Sequence, residues 1–220
     1  MGRQSIFITG GTGYIGSRLI PLLAQRNHSV RALVRNGSEG KLPSDFRTIE
    51  GNALDESTFV DKIQPADTFI QLVGVSHPSP SKGEKFRAID LVSVRASVAA
   101  AARAGVRHFL YLSVAHPAPT MKDYIVVRCE GESLLKTSGL NATILRPWYV
   151  LGPGHRWPYL LVPIYWLLER LPRTRSAAQR LGLITLRQML IALIHAVENP
   201  PTGIRIVEVP EIRALSSYIT

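Results

Sequence analysis

The chain has one cysteine, Cys129, among its 220 residues. A single thiol can form neither an intrachain disulfide nor a cysteine-based metal site, which is typical of a reducing compartment. We expect Cys129 to be a packing residue rather than a nucleophile. No run of about 20 apolar residues is present, so no membrane-spanning helix is expected. The first residues enter a strand-like stretch without the apolar core of a secretory signal, and we expect a cytoplasmic protein.

Metal-ligand patterns are also lacking. The loop histidines His77, His116 and His155 have no partners at ligand spacing, so no metal site is predicted. Acidic residues are scarce, 16 against 26 lysines and arginines, and the net charge is +10. Such a field suits an anionic cofactor, anionic lipid or nucleic acid. Since no basic helix or aromatic-interleaved patch is found, we expect no nucleic-acid partner.

The sequence does have a regular alternation of short apolar, β-branched segments with amphipathic ones. Strands are predicted at 5–9, 30–34, 48–50, 68–73, 108–112 and 143–145, and helices at 14–25, 55–63, 84–104 and 122–136. A helix at 185–198 and a strand at 204–209 follow. This order predicts an α/β fold, a Rossmann-type doubly wound parallel sheet. We expect residues 1–220 to form a single domain, with 152–184 as a small lid-like lobe over the ligand edge.

The strongest motif is the glycine turn at residues 9–16, TGGTGYIG, which follows the first strand and opens the first helix. Gly10 permits the tight turn, Gly13 lets the backbone approach a pyrophosphate, and Gly16 allows close helix–strand packing. The helix N-terminus then offers free N–H groups to phosphates. The turn therefore predicts a dinucleotide site, and its other contacts are expected from Thr12, Tyr14 and Ile15.

Residues at two further places in the sequence indicate which class of nucleotide the glycine turn binds. Ser17 and Arg18 stand where a triphosphatase loop needs Lys followed by Ser or Thr, which excludes that site. Arg35 follows the second strand, where an acidic residue would bind the ribose hydroxyl of NAD. An arginine there suits a 2′-phosphate, so NADP is predicted, with NAD and an arginine without a ligand as alternatives.

Together these motifs resemble the short-chain dehydrogenase/reductase superfamily in its extended and atypical branch, which is epimerase/dehydratase-like. Further matching segments are Gly51-Asn52-Ala53-x-Asp55, Val73-Gly74, and Arg146-Pro147-x-x-Val150-x-Gly152-Pro153-Gly154. The resemblance implies that Asn52 and Ala53 lie at the adenine, that Val73 and Gly74 line the adenosine ribose, and that Pro147 lies near the nicotinamide.

The resemblance also implies where catalysis would occur. Active members use Tyr-x-x-x-Lys with an upstream serine or threonine, whereas this chain has Tyr124 and Arg128, with Ser113 after the fifth strand. One helical turn places Tyr124 and Arg128 on the same face. Arginine keeps the positive charge but does not deprotonate, so it cannot relay a proton. Tyr124, Arg128 and Ser113 are the catalytic candidates; the alternative is that Tyr124 only packs against the cofactor.

Three acidic residues accompany these candidates. Glu130 and Glu132 follow the motif and are either helix-surface charges or site residues. Asp90 lies in the predicted long helix, near the position where relatives place an asparagine facing the active site.

Residues 157–168 carry no charge, and Arg170, Arg173, Arg175, Arg180 and Arg187 follow with no acidic residue between them. This segment is interpreted as a substrate lid, a peripheral membrane contact, or packing of a short lobe.

The motifs indicate an NAD(P)-dependent oxidoreductase or epimerase/dehydratase-like enzyme acting on a small apolar carbonyl, alcohol or quinone. The short C-terminal part argues against a nucleotide-sugar substrate. The alternative is a non-catalytic NADP(H)-binding sensor or structural subunit, for which the replacement of lysine by Arg128 is the supporting feature. A monomer or homodimer is expected.

Overall fold

The computed structural model describes residues 2–154 and 157–216. Its centre is a seven-stranded sheet in the order β3-β2-β1-β4-β5-β6-β9, in which every neighbouring pair is parallel. The strands are β1 (Ser5–Thr9), β2 (Ser29–Val34), β3 (Arg47–Glu50), β4 (Thr68–Gln71), β5 (His108–Leu112), β6 (Ala142–Arg146) and β9 (Ile204–Glu208). A separate parallel pair is formed by β7 (Tyr149–Leu151) and β8 (Leu183–Thr185).

Helices cover both faces of the large sheet, which confirms the predicted Rossmann-type fold. They are α1 (Gly16–Gln25), α2 (Gly83–Lys85), α3 (Val92–Arg103), α4 (Lys122–Thr137), α5 (Val162–Leu168), α6 (Arg175–Arg180), α7 (Leu186–Glu198) and α8 (Val209–Leu215). A π-helical segment, Phe86–Leu91, joins α2 to α3. Within the described residues, no helix is both long and apolar enough to cross a membrane.

The strands are buried on both faces because side chains alternate along each of them. Ile6 and Ile8 of β1 face the core shared with α1 and α7, whereas Phe7 faces the core shared with α3 and α4. Phe7, Phe69 and Phe109 form an aromatic row across adjacent strands, with ring centroids 5.3 and 5.1 Å apart. This packing joins the three adjacent strands within the core.

Two predicted helices are wrong in detail. Residues 84–104 are not one α-helix, because the π-helical segment Phe86–Leu91 adds a wider turn before α3. Residues 55–63 form two 3₁₀ turns, Glu56–Thr58 and Val60–Lys62, rather than a helix. There the Asp55 carboxylate accepts a hydrogen bond from the Ser57 backbone N–H and begins a tight local turn.

The chain order reverses between β1 and β4, which are hydrogen-bonded neighbours although β2 and β3 intervene in sequence. In open parallel sheets the crevice outside the carboxyl ends of such strands is where ligands bind. Thr9 of β1 and Gln71 of β4 lie side by side at that edge. The glycine turn and the segment containing Val73 and Gly74 therefore leave the sheet at the same place.

Candidate cofactor and active site

The glycine turn is built so that only glycine fits at two of its positions. Gly10 has φ +76°, and an added Cβ would lie 2.6 Å from the backbone carbonyl carbon of Leu72. A Cβ at Gly16 would lie 2.5 Å from the carbonyl oxygen of Gly10. At the exposed Gly13, by contrast, a Cβ would meet only the Gly10 carbonyl oxygen, at 3.2 Å. Gly10 and Gly16 are thus required by the fold, and Gly13 leaves the backbone open to a ligand.

The N-terminus of α1 fits the phosphates of a dinucleotide. Among the described residues, no side chain caps this helix and no acidic residue lies in its first turn. The partial positive charge of this helix end therefore faces the turn without an acidic neighbour, whereas the Ser17 and Arg18 N–H groups already donate to the Gly13 and Ile15 carbonyls. Thr12, Tyr14 and Ile15 lie in the turn directly before Gly16, and all three are partly buried.

A second chain segment packs onto this turn. The backbone at Gly152 passes so close to the Tyr14 hydroxyl that a side chain at that position would collide with it. The same segment begins after β6 with the buried Pro147, whose carbonyl accepts a hydrogen bond from the Ala115 N–H at 2.8 Å. The structure thus brings the segment from Pro147 to Gly152 to the carboxyl edge of the sheet.

The residues predicted to contact the adenosine follow β2 and β3. Arg35 is exposed directly after β2, and Val34 before it pairs with Glu50 at the end of β3. Asn52 is exposed two residues beyond Glu50, and its side-chain oxygen accepts a hydrogen bond from the Leu54 N–H at 3.1 Å. Ala53 is partly buried against the core. Arg35 and Asn52 therefore follow adjacent strands at one edge.

Tyr124 and Arg128 meet one helical turn apart on α4, as predicted. The guanidinium carbon of Arg128 lies 4.9 Å from the centroid of the Tyr124 ring. On its other side, the Tyr124 ring meets Phe86 with centroids 4.9 Å apart. Burial raises the pKa of the Tyr124 hydroxyl, while the charge of Arg128 acts in the opposite direction. The phenol is therefore protonated at neutral pH.

The side chain of Arg128 is buried and points into the sheet edge. Its Nη1 donates to the Leu112 carbonyl at 2.8 Å, and its Nη2 donates to Asp90 Oδ1 at 2.5 Å. The other Asp90 oxygen accepts from the Val75 N–H at 3.0 Å. A Cβ at Gly74 would lie 2.5 Å from Arg128 Nη2, so the small residue at this position leaves room for the guanidinium.

Ser113 is held in a different network. Its hydroxyl donates to Glu132 Oε1 at 2.7 Å, and Arg146 Nε donates to the same oxygen at 2.8 Å. The hydrogen bonds from Arg146 and Ser113 hold the pKa of Glu132 below its usual range against the effect of burial. With its proton directed at a carboxylate, Ser113 is not placed as a donor to a substrate oxygen in this structure.

The three acidic residues near the motif differ in burial. Glu132 has a side chain only 2% exposed, so its interpretation as a helix-surface charge is wrong. Glu130 is at the surface and pairs with Arg95. Asp90 is buried, and the sequence did not show that Arg128 is its partner. Their opposite charges were the only sign in the sequence that the two residues could pair. The π-helical segment that brings Asp90 to Arg128 has no simple periodic pattern, so its geometry could not be predicted.

Beside Tyr124 is an open cleft with a volume of about 280 Å³. Apolar and aromatic side chains contribute much of its lining, and the full set is Pro80, Phe86, Pro119, Thr120, Met121, Lys122, Asp123 and Tyr124. Met121 has a left-handed backbone, φ 61°, at the start of α4. Tyr124 is the nearer of two phenol rings beside the Arg128 guanidinium, the other being Tyr111. Because Tyr124 lines the cleft, a small apolar ligand there would contact it.

Two further predictions from the sequence concern the cysteine and metal binding. Cys129 is partly buried, and burial raises the pKa of its thiol, which opposes nucleophilic reactivity. Across residues 2–154 and 157–216, no three His, Cys, Asp or Glu side chains are grouped to hold a metal ion. His155 lies outside the described residues.

Comparison with known proteins identifies the family. A family model described as NAD(P)H-binding matches residues 10–156. Ceramide reductase of Caulobacter vibrioides is 27% identical over 215 residues, covering 96% of this chain and 66% of the relative. The uncharacterized sugar epimerase YhfK of Bacillus subtilis is 30% identical over 156 residues, covering 66% of this chain and 71% of the relative. The chain thus spans about two thirds of the length of these relatives.

Solved structures agree on the fold. The Bordetella bronchiseptica enzyme WbmH in complex with NAD+ superposes with a TM-score of 0.69 at 22% sequence identity. The match covers 92% of this chain and 75% of WbmH.

Proposed function

The chain belongs to the NAD(P)H-binding family, within the extended short-chain dehydrogenase/reductase and epimerase/dehydratase group, and from that premise we propose that it is an NADPH-dependent reductase of a small apolar carbonyl compound. The observation that carries the proposal is Tyr124, a protonated phenol stacked on Arg128 and lining an apolar cleft. A general acid must reach the oxygen that it protonates, and Tyr124 is one of the residues that line the cleft.

When bound, NADPH would supply hydride chemistry at the carbonyl carbon. The chain must then provide one proton to the carbonyl oxygen, and Tyr124 is the donor. Because burial raises the pKa of Tyr124, the hydroxyl form predominates at neutral pH. That form serves carbonyl reduction, whereas alcohol oxidation would need the phenolate. The protonated phenol is therefore in the form that carbonyl reduction needs.

Arg128 is a positioning residue in this proposal. Its guanidinium is fixed by the Leu112 carbonyl and the Asp90 carboxylate, and its face supports the Tyr124 ring. As Tyr124 loses its proton, the adjacent cation stabilises the developing phenolate. Arginine does not itself give up a proton at neutral pH, so Tyr124 must be reprotonated from water reaching the open cleft.

The cofactor assignment follows from Arg35 and the glycine turn. The turn and the α1 N-terminus would hold the pyrophosphate, with Asn52 and Ala53 beside the adenine and Val73 and Gly74 beside its ribose. Arg35 is exposed at the end of β2, where a 2′-phosphate would lie, which supports NADP over NAD. Pro147 belongs to the segment that would approach the nicotinamide.

The substrate class follows from the cleft. Phe86, Met121 and two prolines contribute to its wall, which suits an apolar molecule. The relative named ceramide reductase acts, by its name, on a lipid, which is consistent with an apolar carbonyl.

The proposal is tested with purified protein, NADPH and a panel of apolar ketones, aldehydes and quinones, following NADPH absorbance. We expect turnover of at least one compound, and Tyr124→Phe should lower kcat by about 10²–10⁴-fold while leaving the Kd for NADPH within about twofold. Tyr159→Phe, at an exposed tyrosine, is the matched control and should retain full activity. Turnover that persists in Tyr124→Phe would contradict the assignment.

A second candidate is a non-catalytic NADP(H)-binding sensor or structural subunit. It is favoured by the hydrogen bonds that two candidate catalytic side chains already make within the protein. Arg128 donates to Asp90 and to the Leu112 carbonyl, and Ser113 donates to Glu132. This alternative expects NADPH binding without consumption of any compound in the panel, and a Tyr124→Phe variant indistinguishable from the parent protein.

A further inference from the structure

A compact apolar surface, which we call the α5 patch, lies on residues 159–171. Seven large apolar side chains there are strongly exposed: Tyr159 (49%), Leu160 (77%), Val162 (42%), Ile164 (52%), Trp166 (60%), Leu167 (53%) and Leu171 (45%). Across the rest of the described chain only four comparable side chains are exposed: Val92, Val126, Ile204 and Ile206. Such concentration of apolar surface marks an interaction site rather than ordinary surface variation.

The exposed side chains face away from the protein body. Tyr165 of α5 packs against the core, beside Trp148, whereas Ile164, Trp166 and Leu167 next to it are exposed. Leu160 and Trp166 are more than half exposed, which does not suit a lid whose apolar face covers a substrate. The interpretations as a substrate lid and as lobe packing therefore leave most of this surface unexplained.

Positive charge borders the α5 patch. Arg170 stacks on Trp166 with its guanidinium carbon 3.4 Å from the ring centroid, and Arg173 and Arg175 are exposed just beyond. Glu169, the one acidic residue between 157 and 197, is paired with Arg213. The surface thus combines outward apolar side chains with arginines whose charge is not offset by neighbouring carboxylates in the same segment.

We propose that the α5 patch docks this protein on an anionic lipid surface. Apolar and aromatic side chains enter the boundary between headgroups and acyl chains, and arginines beside them pair with anionic headgroups. A second copy of the chain fits less well, because a two-fold interface on the α5 patch would gather the arginines of both protomers, and Glu169, the one carboxylate between 157 and 197, is already paired with Arg213. The inference is independent of the catalytic proposal, since it rests on a different surface.

The test is flotation of the purified full chain with vesicles of phosphatidylcholine alone or with about 30% phosphatidylglycerol. We expect binding to the anionic vesicles, weak binding to the neutral ones, and weaker binding in high salt. Leu160→Gln with Ile164→Gln should lower the vesicle partition coefficient at least tenfold. Arg170→Gln with Arg173→Gln should lower it about tenfold or more on anionic vesicles only.

Matched control variants distinguish a specific role of the α5 patch from a general effect of surface hydrophobicity or net charge. Ile204→Gln changes an exposed apolar residue elsewhere, and Arg47→Gln with Arg87→Gln removes two exposed arginines elsewhere. Both should bind anionic vesicles as the parent does. Equal losses in control and patch variants would overturn the proposal, as would equal binding to neutral and anionic vesicles.

Trp166 gives a local readout. Lipids brominated near the top of the acyl chain should quench tryptophan emission on binding, and Trp166→Phe should bind equally while losing much of that quenching.

Light scattering without vesicles tests whether a second copy of the chain, rather than lipid, covers the α5 patch. A stable dimer that Leu160→Gln with Ile164→Gln dissociates, together with no vesicle binding by the parent, would show that the α5 patch is a protein interface and overturn lipid docking.

Discussion

Arg128 and Asp90 form a buried ion pair in which Nη2 lies 2.5 Å from Oδ1, with side chains 6% and 0% exposed. The pair ties α4 to the π-helical segment Phe86–Leu91 directly beside Tyr124. A buried charge that loses its partner is strongly destabilising, whereas an exposed pair contributes little. Arg128, at the lysine position of the motif Tyr-x-x-x-Lys, thus connects two helical segments in this chain.

The first prediction is that Asp90→Ala lowers the free energy of unfolding by about 3–5 kcal/mol, because the Arg128 guanidinium is left buried without a counter-charge. Urea denaturation followed by circular dichroism measures the loss. Glu56→Ala, which breaks the exposed pair with Arg103, is the control and should cost less than about 1 kcal/mol. Equal losses in the two variants would show that burial of the Arg128–Asp90 pair is not important.

The second prediction concerns pH and rests on the proposed role of Tyr124. An acid catalyst works while it retains its proton, and burial raises the pKa of Tyr124 above its ordinary value of 10.0. For carbonyl reduction, kcat/KM should therefore stay level from pH 7 to 9.5 and should not fall until the solution is more alkaline than about pH 10. A pH–rate profile with NADPH measures this. A decline centred between pH 7 and 9 would contradict the proposed acid, since it would require a lowered pKa.

Much of this fold could be predicted from the sequence because its main signals are local. The glycine turn at residues 9–16 and the strands around it follow directly from spacing and apolar patterning. Side-chain pairing across the sheet could not be predicted, because it depends on how distant helices are rotated. Asp90 meets Arg128 through a π-helical segment, and Ser113 meets Glu132 between β5 and α4. Periodicity indicates which face a residue occupies but not which partner it has there.

Gly13 separates the requirements of the fold from those of the cofactor. A Cβ at Gly13 meets only the Gly10 carbonyl oxygen, at 3.2 Å, whereas one at Gly10 collides with the Leu72 backbone. Gly13→Ala should therefore change the free energy of unfolding by less than about 1 kcal/mol but weaken NADPH binding at least tenfold, because the added methyl occupies the pyrophosphate approach. Titration of NADPH fluorescence measures the Kd. Gly40→Ala, with open space around the position, should affect neither quantity.

Arg35 should set the preference between the two dinucleotides. If its guanidinium pairs with a 2′-phosphate, Arg35→Ala should raise the Kd for NADPH by about 10–100-fold and leave that for NADH within about twofold, because a charge-assisted hydrogen bond contributes about 1.5–3 kcal/mol. The same fluorescence titrations, performed with NADPH and with NADH, give the ratio of the two Kd values. Arg47→Ala, on the outermost strand, controls for the loss of one positive charge. Parallel weakening of NADPH and NADH would argue against a phosphate contact.

The last prediction links a buried histidine to acid sensitivity. His108 is 1% exposed in β5, and burial lowers its pKa from 6.5 to about 4. The unfolded chain therefore binds a proton below pH 6.5 that the folded protein resists until about pH 4, so stability must fall with pH across that window. The loss attributable to His108 is about 3 kcal/mol between pH 7 and 4.

His108→Gln keeps a polar partner for Thr143, which lies 3.0 Å from Nε2, but removes the titrating ring. Its unfolding free energy should decline less steeply than that of the parent between pH 6.5 and 4, with the difference measured by urea denaturation at each pH. Carboxylates such as Glu132 also lose stabilising interactions in acid, but they do so equally in both proteins. A His108→Gln curve parallel to that of the parent would mean that the buried ring accepts its proton without opposing folding.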